Sequence, residues 1–235
     1  MAERAAKQNW TSRQLEAAVH KVKGSVSNKK ERTFKPLVPK KGTFFTYRVI
    51  RPSSMSETAG EFSLDLGFRG RYCPELSSLS NLKLDDFVQA ARIEKSAAGD
   101  TYEYKKIEGK AGIYTYKAKP MIFYDADTFW VDVDLGFRQW GEQKLRLRGI
   151  DTQELGAGGE KAARYVKKVL SAVPFIVITV SGRDKFGRPL TDVFYLPVQG
   201  KTVPVDYTRE KVLIEGIFLN QELLDLGLAK RMDDD

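Results

Sequence analysis

The sequence predicts a mainly β protein with helices, an α+β chain built around a small five-stranded barrel. Three observations carry that expectation. From about residue 42 onward, short runs of alternating apolar and polar residues follow one another, broken by Gly, Asp and Pro. The C-terminal half holds five such runs, with a helical stretch between the third and the fourth. A second helical stretch, "LNQELLDLG", follows the fifth run and is closed by Gly227.

The elements follow in order. "NWTSRQLEAAVHKVKG" predicts a helix with its ends written in. Thr11 and Gln14 have capping-box spacing, Trp10 and Leu15 that of a hydrophobic staple, and Gly24 is placed to end it. Leu15, Ala18, Val19 and Val22 give it one apolar face, which needs this chain's core or a protein partner to cover residues 12–23. "SVSNKKERTFKPLVPKKG" reads as a basic linker. "FFTYRVI" and "EFSLDLGF" predict strands, and "NLKLDDFVQAARIE" a turn and another. "GIYTYKAKPMIFY", "DTFWVDVDLGF" and "EQKLRLRGI" are the first three barrel strands. "GEKAARYVKKVLSAV" is helical, with Ala162, Ala163, Val166, Val169 and Leu170 on one side and Lys167 and Lys168 opposite. "PFIVITV" and "LTDVFYL" complete the five. The organisation is therefore a basic arm at 1–41, a β-rich region of unknown role at 42–110 and the barrel at 111–235.

Composition narrows the function classes. The formal net charge of +8 sits in residues 1–41, where eleven Lys/Arg face three Asp/Glu; the remainder balances. Such an arm suits phosphate contacts with nucleic acid, or is simply a solvated tail. The single cysteine, Cys73, excludes an internal disulfide. There is no run of about 18 apolar residues, so no membrane span is expected. The opening "MAERAAKQNW" has no apolar signal core, and the expectation is a cytoplasmic chain.

One internal echo stands out. Residues 44–69 shifted by 69 positions onto 113–138 match at seven of 26 places, including "TY" and "DLGFR". The middle region reads as a degenerate copy of the first two barrel strands, or as convergent strand-and-turn sequence. The first segment has Ser56 and Thr58 where the second has Asp125 and Asp127.

Three clusters carry the chemistry: "DADT" (125–128), "LRLRGIDTQE" (145–154) and "RDKFGRPL" (183–190). The only histidine is His20, so a histidine-based zinc site or triad is not available. Carboxylate oxygens suit Ca²⁺ or Mg²⁺ instead. An EF-hand reading fails: with Asp125 first, position five is Phe129 and position twelve Gly136. The glycines of "GAGGEK" fit no dinucleotide or phosphate-loop fingerprint and read as a helix opening. Arginine forks beside carboxylates are what hydrolysis of a phosphodiester asks for. Surface ion pairs and ordinary turns are the plainer alternative.

Together the clusters resemble the staphylococcal nuclease (thermonuclease) family. Its signature is an Asp-x-Asp-Thr turn, an arginine five residues before Asp-Thr-x-Glu, a helix, then Asp-Lys-aromatic-Gly-Arg. This chain has Asp125, Asp127, Thr128; Arg146; Asp151, Thr152, Glu154; and Asp184, Lys185, Phe186, Gly187, Arg188 in that order. The ending "LNQELLDLGLAK" is similar to the family's last helix. The match spans about residues 111–231.

The resemblance implies a five-stranded OB-fold barrel and Ca²⁺-dependent cleavage of DNA or RNA with little sequence preference, leaving 3′-phosphates. Ca²⁺ rather than Mg²⁺ would be held by Asp127, Asp151 and the Thr152 carbonyl, with Asp125 supporting from behind. Glu154 would be the general base or would orient the attacking water. Arg146 and Arg188 would clamp the phosphate, and Lys185 and Phe186 would contact substrate. Arg148 is not carried over and reads as exposed strand surface. The chain departs from the family at Ala126, in place of a glycine, where strain is expected, and at Gln153, in place of a proline. The family's nucleotide-holding aromatics after the last helix are absent. Two other readings stay open: a catalytically silent barrel that binds nucleic acid, and a protein-interaction module working through the N-terminal helix.

Overall fold

The structure, a computed structural model, describes residues 35–51, 62–74, 81–95, 99–108, 114–156, 158–198, 200 and 202–232. The expected N-terminal helix, with its partner-binding face at 12–23, lies outside these residues, as do Ser56 and Thr58. Pro36–Asp235 cluster as one unit, so residues 36–41 of the expected arm belong with the barrel.

Two large sheets, a two-stranded pairing of Ile150–Asp151 with Lys230–Arg231 and three helices make up the described part of that unit. The first contains β1 (Thr46–Ile50), β2 (Ser63–Gly67), β3 (Gly70–Tyr72), β4 (Phe87–Lys95) and β5 (Asp100–Ile107), in the order β3-β2-β1-β4-β5. The second half runs β6 (Thr115–Phe123), β7 (Thr128–Gly136), β8 (Gln139–Leu147), the short β9 (Ile150–Asp151), helix α1 (Glu160–Ser171), β10 (Ile176–Arg183) and β11 (Pro189–Tyr195). After these come α2 (Arg209–Glu215), the short β12 (Ile217–Phe218), α3 (Leu219–Asp225) and the short β13 (Lys230–Arg231).

Strands β10-β6-β7-β8-β11 pair in that order, and β10 also pairs with β11, which closes a five-stranded barrel. All contacts are antiparallel except β8 with β11, which is parallel over Leu190↔Arg146 and Thr191↔Leu147. Alternation sets the inside: Phe129, Val131, Val133 and Leu135 of β7 are buried, while Trp130, Asp132 and Asp134 between them are half-buried. Closure leaves no sheet edge to solvate, so these side chains need only pack. Helix α1 lays Ala162, Val166 and Leu170, one stripe at fourfold spacing, onto that core. Each such Val or Leu contributes about 1.5–3 kcal/mol when fully buried. No described helix is long and apolar enough to cross a membrane.

The 69-residue echo has a structural counterpart. The first sheet's order β3-β2-β1-β4-β5 repeats β8-β7-β6-β10-β11, except that β3 and β5 do not pair. Strands β1 and β6 begin at 46 and 115, and β2 and β7 end at 67 and 136. Gly67 and Gly136 both have positive φ, +75° and +84°, and Phe68, Arg69, Phe137 and Arg138 repeat the same left-handed corner. A Cβ at either glycine would collide with a tyrosine hydroxyl of the opposite half, Tyr116 or Tyr47. Those hydroxyls donate reciprocally, Tyr47 to the Leu135 carbonyl at 2.7 Å and Tyr116 to the Leu66 carbonyl at 2.6 Å. Phe137 fills the gap in the open sheet, stacked on Tyr72 of β3 at 3.9 Å and 4.6 Å from Tyr102 of β5.

Two expectations are corrected. Arg148 is not exposed strand surface; it is 6% exposed and donates to both carboxylate oxygens of the fully buried Asp192. Alternation stops governing side-chain direction once β8 ends at Leu147, and the buried carboxylate on β11 draws the guanidinium inward. Ala126 carries no strain either: its φ is not positive, and its methyl is part of the core.

Candidate active site

The "DADT" cluster forms the turn between β6 and β7. The Thr128 carbonyl accepts from Asp125 N at 3.1 Å and Tyr124 N at 3.3 Å, which closes it. Asp127 then points inward and is 2% exposed. Its Oδ2 accepts from the Thr152 backbone N–H at 2.7 Å and hydroxyl at 2.8 Å, and its Oδ1 from the Thr128 hydroxyl at 3.0 Å. Arg146 pairs with the same Oδ1 through Nη1 and with Asp151 Oδ1 through Nη2, the latter at 2.7 Å. "LRLRGIDTQE" thus sends its outward arginine to two aspartates.

Strand β9 and the glycine before it are held at three points. Strand β13 pairs Lys230 with Asp151 and Arg231 with Ile150, and Met232 N donates to the Gly149 carbonyl at 3.1 Å. Residues 230–232 therefore brace the strand that carries Asp151. Gly159, the residue before α1, has no room for a Cβ, which would collide with the Gln153 carbonyl. Its N–H donates to the Glu154 carbonyl at 3.1 Å, and the Glu154 side chain stays exposed on the cleft wall.

The third cluster is a turn between β10 and β11. Asp184 Oδ1 accepts from Phe186 N at 2.9 Å and Arg188 N at 2.8 Å, and its Oδ2 from Arg188 Nε at 2.6 Å. Burial pushes the Asp184 carboxyl up, but the Arg188 side-chain and backbone donors outweigh it and hold it below the ordinary carboxylate range. Arg188 also reaches the Thr128 hydroxyl at 3.5 Å. At the tip Phe186 is 72% exposed, with the Lys185 ammonium and Arg188 guanidinium each 5.3 Å from its ring. The parallel β8–β11 contact brings this turn beside Arg146.

One cleft of about 730 Å³ is lined by Asp125, Asp127, Arg146, Asp151, Thr152, Glu154, Lys185, Phe186 and Arg188. All nine sequence-assigned residues meet there. Arg183 and Met232 also line it and were given no role by sequence. Arg183 opens the "RDKFGRPL" cluster, a signal available to reading, whereas nothing marks Met232. Asn220, fully buried, was missed as well; it donates to the Arg148 and Thr191 carbonyls, both at 3.0 Å, tying α3 to the β8–β11 junction.

The donor set can be tested for a cation. Asp127 and Asp151 reach one guanidinium, so their carboxylates converge on a point that already carries positive charge. Those oxygens and the Thr152 carbonyl are hard donors of the kind Ca²⁺ takes. They fall short of a closed cage: among the described residues no three His, Cys, Asp or Glu side chains group at metal-holding distance. By donor chemistry, these oxygens would suit a hard cation only in an open site completed by solvent or substrate.

No protein-family model and no curated protein matches the chain.

Proposed function

We propose that the chain is a Ca²⁺-dependent phosphodiesterase, a nuclease acting on DNA or RNA, built on an OB-fold barrel. The strand order with its parallel β8–β11 closure and α1 before β10 supports the fold reading. The observation that carries the function is the convergence of Arg146, Arg188, two aspartates and Glu154 on one cleft.

In this reading Arg146 and Arg188 bind the anionic phosphodiester, each through a guanidinium fork that suits its oxygens. Arg188 is pre-set by Asp184 through Nε and by the Thr128 hydroxyl at 3.5 Å from Nη1, which leaves Nη2 for substrate. Glu154, exposed on the wall, takes the proton from the attacking water as a general base. Lys185 and Phe186 hold the chain beside the scissile bond. Asp127, Asp151 and the Thr152 carbonyl would hold Ca²⁺, with Asp125 behind them. When bound, the cation supplies a Lewis acid for the phosphoryl oxygen.

A second reading, a nucleic-acid-binding barrel without catalysis, is favoured by one observation: Arg146 is engaged by both aspartates. A plasmid-nicking assay decides between them. Nicking that needs Ca²⁺, stops with chelator and falls by about 10²–10⁴-fold in Glu154→Gln supports the nuclease. Plasmid binding without nicking supports the silent barrel.

A further inference from the structure

A second cleft, of about 920 Å³, lies beside the first, and Arg183 lines both. Its other cations are Lys40, Lys41 and Arg69, against one carboxylate, Asp65. That carboxylate is already committed: it accepts from the Tyr114 hydroxyl at 2.6 Å and the Gly67 N–H at 2.9 Å. Lys41 donates to the Ile214 carbonyl at 3.2 Å, and Arg183 Nη1 to the Gly187 carbonyl at 2.8 Å. Lys40, Arg69 and Arg183 are exposed and have no carboxylate partner among the described residues. A carbonyl does not cancel a full charge, so the three cations are available to an anion from outside the fold.

The internal repeat provides a control for Arg69. Its equivalent 69 residues on is Arg138, on the same left-handed corner. Arg138 donates to Asp100 through Nη2 at 2.6 Å and Nε at 3.1 Å, so its charge is used within the fold. Arg69 occupies the same place without that structural role. Lys40 is positioned as well, since its N–H donates to Asp192 Oδ2 at 2.6 Å while Arg148 holds the Val38 carbonyl at 2.9 Å.

We infer that this cleft binds the sugar–phosphate backbone of the nucleic-acid strand flanking the scissile bond, through Lys40, Arg69 and Arg183. The inference rests on the nuclease reading and gives the first sheet a function, because that sheet's corner contributes Arg69 and one wall of an extended substrate site. Charge complementarity and continuity through Arg183 favour a strand leading out of the catalytic cleft over a separate small anion.

The test is fluorescence anisotropy of the full chain with a labelled twelve-residue oligothymidylate, in chelator, at several salt concentrations. Lys40→Ala/Arg69→Ala should weaken binding about tenfold at low salt and lower the log–log salt slope by about 1.4, two single-strand contacts. Its melting temperature should match wild type. Lys40→Gln/Arg69→Gln repeats the test should the alanine pair melt early. Arg138→Ala, by contrast, should lower the melting temperature and leave the slope alone. An unchanged slope in a variant that melts like wild type overturns the inference and leaves the nuclease reading standing. A wild type that binds steeply in chelator but nicks no plasmid when Ca²⁺ is supplied overturns the nuclease reading instead. A wild type that binds no oligonucleotide overturns both.

Discussion

Arg148 and Asp192 form a two-point ion pair at 2.6 and 2.8 Å with both side chains buried. The pair does more than neutralise itself. Asp192 Oδ2 also accepts from Lys40 N, and Arg148 Nη2 also donates to Val38 O, so residues 38–40 are fastened to the barrel through it. Taking two charges out of water is costly, and removing one partner leaves the other buried without compensation. Arg148→Ala or Asp192→Ala should each destabilise the fold by about 3–5 kcal/mol in urea melts. Arg148→Met/Asp192→Leu should cost less than either single change. Equal stability of Arg148→Ala and wild type would show that the pair is not buried as described.

Tyr47 and Tyr116 make matching hydrogen bonds between the two halves, so their loss should cost similar amounts. Burial first pushes both phenols up from their ordinary range, followed by Asp134 at Tyr47 and by the neighbouring phenols Tyr47 and Tyr114 at Tyr116, which keeps both donors at working pH. Tyr47→Phe and Tyr116→Phe each leave a backbone carbonyl unpaired, worth about 1–3 kcal/mol. Urea unfolding of the two variants checks it. A large cost for one and none for the other would mean the repeat is one of shape but not of energetics.

Much of the site was legible because its residues cluster locally. The turns holding Asp127 and Asp184 and the strand exit holding Arg146 to Glu154 are short sequence segments whose spacing fixes their chemistry. Alternation likewise marked β1, β2, β4 and the five barrel strands. Arg148 was not legible, since its partner Asp192 is 44 residues away and strand alternation no longer applies past Leu147. Strand β13 and helix α2 were missed for related reasons. β13 is two residues long and exists only as a pairing with β9, while α2 spans seven residues, Thr208 capping it through Lys211 N at 3.2 Å. The repeat was visible as "DLGFR", but the reciprocal tyrosine bonds that define it join residues 88 and 50 positions apart.

Arg146 and Arg188 should both resist replacement by lysine. Each uses more than one guanidinium nitrogen: Arg146 joins Asp127 and Asp151, and Arg188 reaches Asp184 and Thr128. An ammonium keeps the charge and loses the fork. Arg146→Lys and Arg188→Lys should each lower turnover of a phosphodiester substrate on the order of 100-fold. Near-normal kinetics in either variant would make that arginine a spectator.

Asp184 sets the turn that presents Arg188, and its protonation should release it. Because Arg188 and the backbone donors hold its carboxyl below the ordinary range despite burial, the folded form prefers it ionised. The sign follows from that depression. The stabilisation is fully present above the carboxyl's unfolded pKa, about 3.9, and is lost as pH falls through the lower folded value. Asp184→Asn removes the ionisation while keeping an acceptor for the Phe186 and Arg188 N–H groups. At neutral pH the variant should melt below wild type, because the charge-assisted Arg188 bond at 2.6 Å is weakened. The two melting temperatures should converge only as pH falls through the lowered folded value, where wild type loses the same interaction. A series of melting curves from about pH 7 down through the acid range reads this directly. A gap that stays constant across that range would mean the carboxylate charge contributes nothing, and the turn would then be held by its backbone hydrogen bonds alone.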